Sequence, residues 1–370
     1  MRTPMMISLV LPGLILAVTA ACAGQPAAAP AAAPTVAPTK PLAPAITLPP
    51  PTPAPTVAPT AMPAATATPA RLTKVTVMLD WTPNTNHTGL YVALDQGWYK
   101  DQGLDVSLVQ PAESGVEQVV ATGKADFGIS FEEQVTNARA QDVPIVSLAA
   151  IIQHNTSGFA SPKSKNIIRP KDFEGKRYGA FGLPIEKQIL EVLMKCDGGD
   201  VNQVKFVDIG TSDIFVAYQR DVDFAWIFQG WEGIEAELRG VPLNLIALKD
   251  WTKCVPDYYT PVLITGEKLI QQNPDLVRQF MAATSQGYRF AIDNPKDAAE
   301  ILIKYAPEAN PELIRKSQAW LSPRYAEGAP RWGEQKLEVW KNYADWLTDR
   351  GLLAKRIDPA KAFTNDFLPK

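Results

Sequence analysis

Val75, Val77 and Leu79 recur at every second position, which predicts a strand ending at Asp80. From about residue 88 to 97, Leu90, Tyr91 and Leu94 fall at helical spacing. The stretch LDVSLV reads as a strand, GVEQVVATG as a helix ending at Gly123, and DFGIS as a short strand. EEQVTNARAQ then reads as a helix and PIVSLAAII as a strand. After a predicted loop, ASPKSKNIIRP, the alternation restarts with KRYGAF, VKFVDI, DFAWIF and LNLIAL as strands. Between them lie three predicted helices: PIEKQILEVLMKC with Pro184 in its first turn, SDIFVAYQR and WEGIEAELRG.

Two successive β/α series predict two open, mostly parallel sheets, an α/β architecture of two lobes. From Glu267 onward the chain is nearly all amphipathic helix, several segments opening on Pro and the last ending at Gly351. These helices are expected to return to the first lobe. The chain would cross between lobes near Ala160–Pro170 and near Tyr258–Thr265, leaving a cleft. The expected layout is lobe 1 over 71–165, lobe 2 over 166–262, and a return to lobe 1 over 263–370.

The chain before residue 71 changes this picture. Arg2, the apolar run from Ile7 to Val18 and the small residues before Cys22 have the layout of a secretory signal over 1–21, short for a membrane span. Cys22 in VTAACAG resembles a lipobox cysteine, although Thr19 stands where Leu is usual. From Gln25 to Ala70 nearly every residue is Ala, Pro or Thr, with one charge at Lys40. Such a segment buries too little apolar area to offset its ordering entropy. It reads as a disordered tether over 22–70 that reaches roughly 100 Å from a membrane. The expected location is therefore extracytoplasmic, anchored to the cell membrane through a lipidated Cys22. The alternative is ordinary cleavage and free secretion.

A net charge of −3 and the lack of a basic run argue against nucleic acid as partner. Beyond Cys22 only Cys196 and Cys254 remain; in an oxidising compartment they could pair, but their spacing says nothing about geometry. The sequence has no phosphate-binding G-x-x-x-x-G-K-[ST] loop, no G-x-G-x-x-G after a strand and no G-x-S-x-G elbow. With two histidines and no H-E-x-x-H or C-x-x-C pair, it offers no metal site. Binding without chemistry, without cofactor, is the reading that remains.

In open α/β sheets ligands sit beyond the carboxyl ends of strands. Asp80-Trp81, Glu132-Glu133 and QGWEG all occupy such ends. Trp81, Trp226 and Trp231 offer flat apolar faces, while Asp80, Asn84, Glu133 and Glu232 offer acceptors for ring N–H, amino or hydroxyl groups. That combination suits a neutral, nitrogen-rich ring. Each residue also has a plainer reading: Asp80 caps a turn, Asn84 and Asn86 serve turn geometry, His87 leaves its ring in solvent, and Trp226 is core. One of Glu132 and Glu133 would face solvent. The helix after the asparagine turn would aim its N-terminal N–H groups at the same space. The other five tryptophans, Trp98, Trp320, Trp332, Trp340 and Trp346, fall on helical faces and read as packing.

LDWTPNTNHTGLYVA, ADFGIS, DFAWIFQGWEGIEAE and YYTPVLIT resemble the substrate-binding proteins of the thiamine-pyrimidine precursor family over most of 73–370. The resemblance implies a type II periplasmic-binding-protein fold with a two-strand hinge. It also implies a monomer that delivers a small molecule to an ABC importer whose permease and ATPase are separate chains. Members of that family resemble binders of a formylated aminopyrimidine or of riboflavin; eukaryotic members are pyrimidine synthases with a cysteine-rich iron motif absent here. The tether behind Cys22 looks more like the riboflavin-binding lipoproteins. Carry-over puts ligand contacts on Asp80, Trp81, Glu133 and Trp231, then on Asn84, His87, Asn155, Trp226, Glu232 and Tyr259. A tethered sensor reporting to a membrane receptor is the alternative of another class.

Overall fold

The computed structural model describes residues 71–111, 115–210 and 212–370; the signal, the tether and Cys22 lie outside them. The first alternating run is a strand, β1 (Thr73–Met78), and β2 (Leu104–Val109) and β3 (Phe127–Ser130) flank it in parallel. With β4 (Ile145–Ala150) and β10 (Val262–Gly266) they form a five-stranded sheet in the order β2-β1-β3-β10-β4. The second sheet has the same plan. β5 (Ser157–Pro162), β6 (Arg177–Ala180), β7 (Lys205–Asp208), β8 (Phe224–Phe228) and β9 (Leu243–Ala247) run in the order β7-β6-β8-β5-β9. In each sheet one strand next to the edge, β10 or β5, is antiparallel to both neighbours. These two strands bring the chain into each sheet from the other lobe, so they enter against the direction of the β/α units.

Helices pack on both sheets, and each sheet contributes to two buried apolar clusters. In lobe 1, α1 (Thr88–Asp95), α2 (Trp98–Asp101), α3 (Val116–Ala121) and α4 (Glu132–Ala140) connect the strands. In lobe 2, α5 (Pro184–Cys196), α6 (Ile214–Arg220) and α7 (Ile234–Leu238) do so. Then come α8 (Glu267–Gln272), α9 (Pro274–Asp293), α10 (Pro295–Tyr305), α11 (Pro311–Leu321) and α12 (Leu337–Asp349). Val75, Val77, Phe127 and Ile129 from β1 and β3 pack against Leu90, Phe280 and Tyr288 from α1 and α9. The two helices approach closely because Gly89 and Gly287 face each other: a Cβ on Gly287 would overlap the Gly89 carbonyl.

Two expectations are corrected. The first crossing lies between Ala150 and Ser157, upstream of 160–170, because SGFASP is a strand of sheet 2. Its small residues carry no alternating signal; pairing with β8 and β9 fixes it as a strand. The second crossing lies between Trp251 and Val262, overlapping its expected place near Tyr258–Thr265. Not every late helix returns to lobe 1. Tyr343, Trp346 and Leu347 of α12 belong to the lobe 2 core with Phe173, Tyr178 and Phe224, while Trp340 is buried with the lobe 1 residues Ile264 and Val120. Helix α12 thus spans the crossings, and the Trp346 indole N–H donates to the Cys254 carbonyl at 2.7 Å. Cys254 is itself bonded to Cys196 at the end of α5, with Cα atoms 6.0 Å apart.

Candidate functional site

Met78 lies opposite Gly128 in the parallel pair β1/β3, so Asp80-Trp81 and Ser130-Phe131 leave the sheet side by side. Across from them, β8 ends at Phe228 and continues into a π-helical turn, Gln229–Gly233. The Phe131 and Phe228 rings meet between the lobes, centroids 6.4 Å apart and planes 20° from parallel. Neither was singled out from sequence, because a phenylalanine at a strand end is indistinguishable from a core residue. Trp231 reaches from the lobe 2 turn onto the lobe 1 core, half-buried. Trp81 remains 37% exposed at the rim.

The asparagine turn is built differently from expectation. The His87 ring is fully buried rather than in solvent. Its Nε2 lies 2.6 Å from Asp80 Oδ1, and its Nδ1 accepts the Asn84 backbone N–H at 3.2 Å. The proton therefore sits on Nε2, which donates to Asp80. Both ring nitrogens of His87 are thus engaged within the turn, and the ring orients the Asp80 carboxylate. Asn84 is the cap of the turn: Oδ1 accepts the Asn86 N–H at 2.9 Å and Nδ2 donates to the Thr82 carbonyl at 3.0 Å. The N-terminus of α1, expected to face the ligand, is covered by α11. Thr88 Oγ1 donates to Gln318 Oε1 at 2.6 Å, and Thr85 Oγ1 lies 2.5 Å from Ser317 Oγ, which in turn donates to the Gly230 carbonyl of lobe 2. The lobes are in contact through this chain.

Glu132 and Glu133 are both buried, against the expectation that one would face solvent. Glu132 Oε2 accepts the Tyr259 N–H at 2.7 Å, and the Glu132 N–H donates to the Tyr259 carbonyl. Burial pushes Glu132 well above the usual carboxylate range. Burial also pushes Glu133 up to about 8, the nearby Glu117 charge adding to the shift. Glu117 itself accepts from Ser130 Oγ. Glu232 is raised to about 7, again by burial, and its Oε2 accepts the Phe228 N–H at 2.9 Å.

Tyr259 braces the second crossing: its hydroxyl accepts the Lys336 N–H at 3.0 Å. Asn155 stands in the first crossing, where Oδ1 accepts the N–H and hydroxyl of Ser157, both at 2.7 Å. Asp257 of the second crossing accepts the Asn155 N–H at 2.9 Å and bonds His154 Nδ1 at 2.6 Å, tying the crossings together. That contact raises the His154 pKa. Trp226 is half-buried, its ring 5.2 Å from Phe159, with an indole N–H that has no partner among the described residues.

The arrangement offers aromatic faces from both lobes beside carboxyls held close to neutral. It can bind a planar ring by stacking and by its polar edge. Among the described residues no group of three or more His, Cys, Asp or Glu is placed to hold a metal ion.

Among known proteins, the chain is 28% identical to the formylaminopyrimidine-binding protein of Halalkalibacterium halodurans, over 80% of this chain and 90% of that one. It is 26% identical to a 4-amino-5-hydroxymethyl-2-methylpyrimidine phosphate synthase of Legionella pneumophila, covering 80% and 92%. It is 27% identical to the riboflavin-binding protein RibY of Chloroflexus aurantiacus, covering 83% and 90%. The periplasmic aliphatic sulphonate binding protein SsuA of Escherichia coli shares the fold, with a TM-score of 0.61 at 14% identity over 78% and 91%. The expected type II periplasmic-binding-protein fold is therefore observed. With a family model matching residues 84–298, the chain belongs to the NMT1/THI5-like family.

Proposed function

We propose that this chain is the substrate-binding protein of an ABC importer and captures a planar, nitrogen-rich heterocycle, riboflavin, between its lobes. The observation that carries this reading is the facing pair Phe131 and Phe228, one from each lobe, beside buried carboxyls. A flat ring held between two aromatic faces needs about 7 Å, twice a stacking contact. The two rings stand 6.4 Å apart, so a small opening of the lobes admits one ring system. Closure on the ring then excludes water and presents the joined lobes to the permease. Ligand favours that state only through its differential affinity for it. The Ala/Pro/Thr tether behind Cys22 supports riboflavin and attachment at the membrane.

A second reading, formylaminopyrimidine, is favoured by the 28% identity across 90% of the Halalkalibacterium protein. Calorimetric titration of the chain with each compound separates the two. The riboflavin reading predicts saturable binding at or below micromolar concentration and no response to formylaminopyrimidine. The reverse result assigns the chain to the pyrimidine. Binding of neither removes both.

A further inference from the structure

Behind the Phe131–Phe228 pair, buried polar atoms collect without partners. Glu132 Oε1, Glu133 Oε2 and Thr136 Oγ1 of α4, Asn155 Nδ2, Tyr258 Oη and Tyr343 Oη have no hydrogen bond among the described residues. All six residues are more than nine-tenths buried. They come from four places in the chain that meet at one point. Glu132 is bonded to Tyr259 of the second crossing. The Tyr258 ring stacks on Tyr343 of α12 at 4.5 Å. Asn155 of the first crossing lies beside the Tyr258 hydroxyl, but the two complete no well-formed bond. Both phenols are raised by burial and by the nearby Glu132 and Glu133 carboxyls. One unpaired buried group costs about 1–3 kcal/mol, so six together signal a site and not a core.

We propose that this cluster takes the hydrogen-bonding edge of the captured heterocycle, with the Glu133 carboxyl as both donor and acceptor. The inference rests on the reading of the cleft as a heterocycle site. A neutral carboxyl offers one donor and one acceptor side by side. That pair complements a ring edge with an adjacent acceptor and donor, such as ring nitrogen beside amino or carbonyl beside N–H. The other acids facing Glu133 are already engaged: Glu117 by Ser130, Glu132 by the Tyr259 N–H, and Asp257 by His154 and Asn155. Of these, Glu133 is the carboxyl with a free oxygen and no side-chain or crossing donor, and burial holds its proton to about pH 8.

The test is calorimetry of the full chain with riboflavin and with formylaminopyrimidine from pH 6 to pH 9, in buffers of different ionisation enthalpy. The compound that binds at pH 7 is expected to bind about tenfold more weakly at pH 9 and to take up close to one proton there. Glu133→Gln, which keeps a donor and an acceptor, should bind within about threefold of wild type at pH 7 with a flat profile. A wild-type affinity constant from pH 6 to pH 9, with no proton uptake, overturns the inference and leaves the heterocycle reading standing. So does loss of binding in a Glu133→Gln chain whose thermal unfolding is cooperative. If neither compound binds at any pH, the reading and the inference fall together.

Discussion

Glu133, proposed above to meet the ligand, is held at the expense of stability. Burial pushes its carboxyl up to about 8 in the folded chain, against 4.5 ordinarily. Between those values the folded protein keeps a proton that the unfolded chain releases, so ligand-free stability falls as pH rises through the window. Glu133→Gln cannot ionise. It should be more stable than wild type at pH 7 by about 1–3 kcal/mol, the gap closing toward pH 4.5, as read from denaturant unfolding at several pH values. Phe131→Ala should weaken capture by about 1–3 kcal/mol with little effect on the fold, since its ring faces the other lobe; titration of the variant checks this. At this scale the sequence was only partly legible. Asp80 and Glu133 stand out because a carboxylate just after an apolar strand marks a strand end. Phe131 and Phe228 do not stand out, because Phe is what a strand end buries anyway. Asn84, His87 and Tyr259 sit in the right blocks, but their polar atoms serve the turn and the crossing. Composition cannot tell an amide that meets ligand from one that caps.

Among the elements, periodicity reads strand and helix well where alternation or amphipathicity is strong. Helix α5 begins at Pro184 and ends at Cys196 as its pattern predicts. Strand β5 escapes because Ser, Gly, Ala and Pro carry no period-two contrast; only its neighbours β8 and β9 make it a strand. Helix α12 escapes in another way. Its amphipathic face says that Tyr343 and Trp346 are buried, not against which lobe, and the answer depends on the path of the crossings. The same holds for Cys196 and Cys254, whose pairing needs the end of α5 and the start of the second crossing to meet. The bond closes a loop with a sequence separation of 58 and fixes lobe 2 next to α12. Cys254→Ser should lower stability by about 2–4 kcal/mol, measured as a fall in the denaturant midpoint with the secondary structure retained.

For the whole molecule, closure is written into contacts that no single element predicts. Thr85, Ser317 and the Gly230 carbonyl form a hydrogen-bonded chain from the lobe 1 turn through α11 to the lobe 2 π turn. Gly230 also lies against Trp320 and Leu321 of α11, where an added Cβ would be tight at 3.0 Å. Ser317→Ala removes the central hydroxyl. The ligand-free chain should then populate the open arrangement more, seen as a larger radius of gyration in small-angle scattering, and bind about fivefold more weakly. The crossings, joined by His154, Asn155 and Asp257, would be the pivot for that motion. The two-lobed plan itself was legible, because two β/α series separated by a break and followed by helices admit few other arrangements. The measurement that tests the account most directly is a crystal structure of the chain with whichever of riboflavin and formylaminopyrimidine binds. The account predicts the ring between Phe131 and Phe228 with its polar edge on Glu133. A ring bound outside the cleft, with the two phenylalanines still facing each other, would contradict it.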